Sequence, residues 1–182
     1  MANFRELPLQ HSYISCGETN IANAFLNPVL GHTKLYKRSV GFFSSSVFIL
    51  IKEGIVKLAH NRGEVRLIAS PHLSEDDIQA IQMGYCKREQ IICDSFTRGF
   101  MEELNELQEE ELFLLIDLIA KSFLDIKIAV SKTNGIYHDK LGILEDADGN
   151  KIAFYGSSNS SLNGYQNNYE KIRIARSWIC IG

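Results

Sequence analysis

Within residues 34–69 the chain reads strand, helix, strand, and no other feature of the sequence constrains the fold as strongly. Residues 34–43 (KLYKRSVGFF) are rich in β-branched and aromatic side chains. Ser44-Ser45-Ser46 offers hydroxyls that cap a helix running to about His60, Asn61-Arg62-Gly63 ends it, and residues 64–69 (EVRLIA) read as a second strand. Two strands joined through a helix run parallel, because a long crossover returns the chain to the starting end of the sheet.

The flanking segments supply the rest of the architecture. Residues 1–20 read as loop. A short helix over residues 21–26 is disturbed at Pro28. Pro71 breaks the chain, Ser74 and Asp77 resemble a capping box for a helix over 75–83, and Gly84 is a natural stop. A long helical pattern spans 88–122, with Phe100, Leu104, Leu107, Leu112, Leu115 and Leu118 on its apolar face. Residues 125–130, 136–144, 151–155 and 171–175 are four strand-like runs with turn residues between them. The pattern predicts one α/β domain over 1–182. Its mixed β-sheet is parallel early and antiparallel late, with helices packed on its faces.

The formal net charge of −3 is unevenly spread. Residues 1–120 hold 11 basic and 16 acidic side chains, and residues 121–182 hold 8 and 6. Residues 94–117 alone carry eight acids against one base, Arg98. A protein that coats DNA without discrimination is basic overall, so here a polyanion must meet a local patch. The acidic stretch is either a solvated helix face or a surface that holds nucleic acid away from a site or mimics it. Cys16, Cys86, Cys93 and Cys180 form no CxxC pair, which favours free thiols over zinc. The apolar runs are too short for a membrane span, and the N-terminus lacks the apolar core of a secretory signal. The expected setting is a cytoplasmic one, with no membrane.

Chemistry concentrates in residues 137–170. On an extended strand His138 and Lys140 share a face, while Tyr137, Asp139 and Leu141 point the other way. Asp148-Gly149 is a favoured two-residue hairpin turn. With that pair as the loop, opposed positions sum to 297, so Asn159 faces His138 and Ser157 faces Lys140, all on one face. A slip of one residue disperses them. An ammonium with neutral donors suits phosphate oxygens, and an imidazole serves as nucleophile or acid/base near neutral pH. No group of carboxylates accompanies them to hold Mg²⁺, which favours phosphoryl chemistry without a metal or other cofactor.

His138-Asp139-Lys140, then Gly156-Ser157-Ser158-Asn159, then Glu170 resembles the HxK…GSxN…E signature of the phospholipase D superfamily. Residues 40–46 (VGFFSSS), 70–77 (SPHLSEDD) and 137–143 (YHDKLGI) look like the phospholipase-D-like module at the N-terminus of some bacterial DEAD/DEAH-type helicases. Related one-motif modules occur in metal-independent restriction endonucleases. The resemblance implies that His138 attacks phosphorus and forms a phosphohistidine, and that a second histidine protonates the leaving oxygen before water releases the product. It assigns Lys140 and Asn159 to the phosphoryl oxygens with Ser157 assisting, and Glu170 to orienting the imidazole. The family's longer motif has Asp five residues after Lys, where this chain has Glu145 followed by Asp146. Only one motif is present: His11, His32, His60 and His72 do not begin another. A complete site then requires a two-fold dimer that joins two copies of His138.

Each residue also has a plainer reading. His138 suits a satisfied strand polar group, Lys140 a surface lysine, Gly156–Asn159 a strand-ending turn, and Glu170 a partner of Lys171 or Arg173. Phe42 and Phe43 suit core packing as well as base stacking. The expected function is a metal-independent phosphodiesterase, a nuclease acting on DNA. The alternative is a non-catalytic nucleic-acid-binding or dimerisation module of a helicase or restriction system.

Overall fold

The computed structural model describes residues 3–16, 19–70, 75–93, 110–129, 137–161 and 168–179. Among these residues there are seven strands: β1 (Ser12–Ser15), β2 (Thr33–Val40), β3 (Glu64–Ala69), β4 (Leu124–Ile128), β5 (Lys140–Asp146), β6 (Lys151–Gly156) and β7 (Glu170–Arg176). They form one mixed sheet in the order β1-β7-β6-β5-β2-β3-β4. β2, β3 and β4 are parallel; every other pairing is antiparallel. The parallel pair expected from residues 34–69 is present, with Tyr36 beside Val65 and Val40 beside Ala69.

The helices are α1 (Asn27–Leu30), α2 (Val47–Leu50), α3 (Lys52–His60), α4 (Glu75–Cys93) and α5 (Glu110–Ala120). Strand residues of one parity, including Tyr36, Val40, Val65, Leu67, Leu144, Ile152 and Phe154, are buried with the apolar faces of the helices in one continuous core. The other parity carries Lys37, Arg66, Lys127, Lys171 and Arg173, all exposed.

Several local expectations are corrected. The first 20 residues contain a helical turn, Phe4–Glu6, and strand β1. The four-residue run SYIS gives little local signal because its ladder partners are the distant residues 170–173. The helix begun near Ile21 passes Pro28 and ends at Leu30. It does so through a wide turn in which Asn27 N–H bonds the carbonyl of Ala22, five residues back. The helix expected to reach His60 is split in two. The Asn27 carboxamide lies between Leu50 C=O and Gly54 N–H, bonding each at 2.9 Å, where an unbroken helix would bond them to each other. Nor does Ser46 cap it: its hydroxyl makes no bond to the first N–H groups of the helix and meets Ser44 Oγ at 3.0 Å instead.

Gly84 does not end α4. A Cβ there would lie 2.8 Å from Ile119 Cβ, so the missing side chain admits α5 against α4. The proposed helix over 88–122 is likewise two segments, because Arg88 Nε donates to the Ile119 carbonyl at 2.8 Å. A straight helix would hold those residues about 46 Å apart at 1.5 Å per residue. The Pro71–Ser74 break and cap, and the acids from Asp94 to Glu109, lie outside the described residues. Of the remaining acids, Glu110 pairs with Lys52 and Asp117 with Lys121. Among the described residues no helix is long and apolar enough to cross a membrane.

Candidate active site

The site forms where β5 begins and β6 ends. Their hairpin pairs Glu145 with Lys151 and Leu141 with Tyr155, so opposed positions sum to 296. The loop therefore has three residues, Ala147-Asp148-Gly149, and not the two of the expected Asp-Gly turn. Gly149 takes φ +78°, a conformation glycine adopts without penalty. The Asp146 carboxylate holds the loop from inside: Oδ1 accepts Asp148 N–H at 3.0 Å and Asn150 N–H at 2.8 Å, and Oδ2 accepts Phe4 N–H at 2.9 Å.

A regular ladder on this register would put Ser158, not Asn159, opposite His138. The ladder does not continue that far. Past Tyr155 the chain stays with β7: Gly156 opposes Ile172, and Ser157 N–H donates to the Lys171 carbonyl at 3.3 Å. A Cβ on Gly156 would lie 2.0 Å from that carbonyl oxygen. The glycine of the GSSN run is thus demanded by backbone approach.

His138, Lys140 and Ser157 line one open pocket of about 500 Å³, with Asp139, Tyr155 and Gly156 completing its wall. His138 and Ser157 are exposed and Lys140 is half-buried. Glu170 opens β7, 9% exposed, and acts on Lys140 through its charge. Asn159 is outside this pocket's lining, and its carboxamide oxygen is buried without a hydrogen-bond partner among the described residues. Of the five expected site residues, three therefore share the pocket; Glu170 and Asn159 lie outside its lining, Asn159 in the turn that follows β6.

Ser39 of β2 fixes the segment that carries His138. Its Oγ donates to Asp139 Oδ2 at 2.7 Å and meets the Tyr137 hydroxyl, while Asp139 Oδ1 accepts Lys140 N–H at 2.9 Å. Burial lowers the pKa of the Lys140 ammonium. Glu170 and Asp139 oppose that shift and Arg38 adds to it; the net direction is down.

Arg38 is the residue that sequence reading passed over. Its guanidinium binds the turn after Gly156: Nε donates to Ser160 Oγ at 3.1 Å and Nη2 to the Ser158 carbonyl at 2.6 Å. A signal was available, since Tyr36, Arg38 and Val40 alternate and so place a cation on the apolar face of β2.

No protein-family model matches the sequence, and no curated protein matches it. Solved structures do. Nuc from Salmonella typhimurium, a phospholipase D family member, superposes with a TM-score of 0.51 at 13% identity over 90% of this chain and 79% of that one. The chain has the phospholipase D-like fold. The yeast tyrosyl-DNA phosphodiesterase shares it at a TM-score of 0.50 and 7% identity, over 90% of this chain and 32% of that one. In this phospholipase D-like chain the HDK run begins β5 and the GSSN run ends β6, at the same end of the sheet.

Proposed function

We propose that the chain is a metal-independent phosphodiesterase, a nuclease that hydrolyses DNA through a phosphohistidine on His138. The carrying observation is the pocket in which an exposed imidazole, a half-buried ammonium and a hydroxyl meet, on a fold shared with Nuc. The His138 imidazole attacks phosphorus, forming a P–N bond as the P–O bond to the leaving oxygen breaks. A second imidazole, from the His138 of another copy, gives that oxygen its proton. Water then attacks phosphorus, the P–N bond breaks, and the same second imidazole takes the proton from water. Lys140 and Ser157 bind the phosphoryl oxygens. Asn159 joins them by turning its carboxamide toward the pocket, and Glu170 orients the imidazole. A preorganised cation and donors placed where negative charge develops lower the barrier more than the same groups in water.

Asn159 lies outside the pocket lining, which favours a second reading, a non-catalytic phosphate clamp or dimerisation module within a helicase or restriction system. One experiment separates the two. The protein is incubated in EDTA with single- and double-stranded DNA and with bis(4-nitrophenyl) phosphate, beside His138→Ala. Cleavage that survives EDTA and is lost in His138→Ala supports the nuclease. Binding of DNA without turnover by both proteins supports the clamp and rejects the nuclease.

A further inference from the structure

Arg38 is 3% exposed, yet it forms no ion pair among the described residues. A buried cation without a carboxylate is costly, and neutral groups hold this one instead. Ser160 Oγ and the Ser158 carbonyl accept from it, and its Cζ lies 5.0 Å from the centre of the Phe154 ring. Gly142 stands between Arg38 and Phe154 in the sheet; a Cβ there would come within 2.1 Å of the ring. The row Arg38, Gly142, Phe154 thus forms a built seat for a guanidinium.

Both acceptors flank Asn159 and follow Ser157. The other side of the turn is tied by Ser160 N–H to the Phe42 carbonyl at 3.3 Å and by Ser44 N–H to the Ser160 carbonyl at 3.0 Å. Arg38 Nη1, Ser158 Oγ and Asn159 Oδ1 are buried with unused hydrogen-bonding capacity among the described residues. Such atoms are rare, and these three belong to one turn and its anchor.

We propose that Arg38 is the positioning residue of the phosphate-binding turn: its guanidinium fixes Ser158–Ser160, so sets Ser157 and Asn159, and its charge lies permanently behind the pocket. The chemical consequence rests on the phosphodiesterase reading; the anchoring of the turn does not. Arg38 also repels the Lys140 ammonium, against the attraction of Glu170 and Asp139. Removing it raises the pKa of Lys140; greater exposure of Lys140 raises it too, and Arg38→Lys, which keeps the charge, separates the two causes.

The test compares wild type, Arg38→Met and Arg38→Lys in the full chain. Amide hydrogen exchange is read at Ser44 and Ser160 against Asp148 and Asn150 of the hairpin loop. Turnover of bis(4-nitrophenyl) phosphate in EDTA is read against pH. In Arg38→Met, exchange at Ser44 and Ser160 rises at least about tenfold with the loop amides unchanged. The kcat falls about 10²-fold, as expected of misplaced groups, with KM changing less. Its alkaline limb moves to higher pH. Arg38→Lys restores the position of that limb but not the exchange protection. Unchanged exchange at Ser44 and Ser160 in folded Arg38→Met overturns the proposal, and so does wild-type kcat. A wild-type protein without turnover, whose Arg38→Met variant still loosens the turn, rejects the phosphodiesterase reading and leaves the anchor standing. If Arg38→Met does not fold, Ser160→Ala removes one acceptor and makes the same comparison; wild-type exchange and kcat there overturn the proposal.

Discussion

His138 is exposed and Lys140 half-buried, so replacing either tests chemistry more than packing. Lys140 stands at the start of β5 and, among the described residues, is not part of the core cluster. Lys140→Ala should lower kcat about 10²–10³-fold, the usual cost of removing one group that stabilises developing negative charge. Its folding stability should stay within about 0.5 kcal/mol of wild type. Retained turnover in a variant with an unchanged melting temperature would reject the role of Lys140 in binding phosphate. Its ionisation gives a second check. Burial lowers its pKa and Glu170 raises it, so Glu170→Gln should lower that pKa further. Lys140 then loses its proton sooner as pH rises, and the alkaline limb of kcat should shift to lower pH. A limb that stays put, or moves up, would place Glu170 outside the electrostatics of the site.

At the scale of elements, the β5–β6 hairpin shows what one carboxylate does for a turn. Asp146 is 4% exposed. Burial pushes its carboxyl up, but hydrogen bonds from Phe4 N–H, from the Asn150 side chain, and from the N–H groups of Asn150 and Asp148 outweigh it. The net pKa lies below the ordinary carboxylate value. A depressed folded pKa contributes stability above the unfolded value, near pH 3.9, and that contribution fades as pH falls through the folded value. Asp146→Ala leaves buried donors unpaired and should cost about 1–3 kcal/mol at neutral pH. That corresponds to about 2–4 °C per kcal/mol in a chain of this size, with a smaller further loss on acidification than wild type shows. An unchanged melting curve at pH 7 would mean that water serves these donors equally well. This acid also explains why the register escaped sequence reading. Asp148-Gly149 does mark the turn, but Asp146 takes Asp148 N–H and lengthens the loop by one residue. The strands were legible because alternating apolar residues follow from the pleat. The strand β1, the Asn27 insertion and the fold-back of α5 on α4 were not, because each depends on a partner far along the chain. Of the site, HDK and GSSN were legible as short motifs, whereas Arg38 became significant only once β2 lay beside β5 and the turn came over it.

For the whole molecule the proposed reaction sets a requirement on the assembly. The proposed reaction uses two imidazoles, one that attacks and one that protonates. Among the described residues only His138 lines the pocket. His60 ends α3, while His11 and His32 immediately precede β1 and β2, away from the pocket lining. On the proposed mechanism a closed two-fold assembly would supply the second imidazole from the same patch on another copy. The chain should therefore be dimeric at micromolar concentration by light scattering. A subunit-mixing experiment tests the shared site directly. When wild type is equilibrated with three parts of His138→Ala, only dimers of two wild-type chains keep both imidazoles. Random exchange then lowers activity per wild-type chain about fourfold, the fraction expected from two-fold pairing. His138→Ala alone should be at least about a thousandfold slower than wild type, because the nucleophile is gone. Activity per wild-type chain that does not change on mixing, with exchange verified by mass-tagged subunits, would mean that each chain holds a complete site and that one imidazole serves both steps.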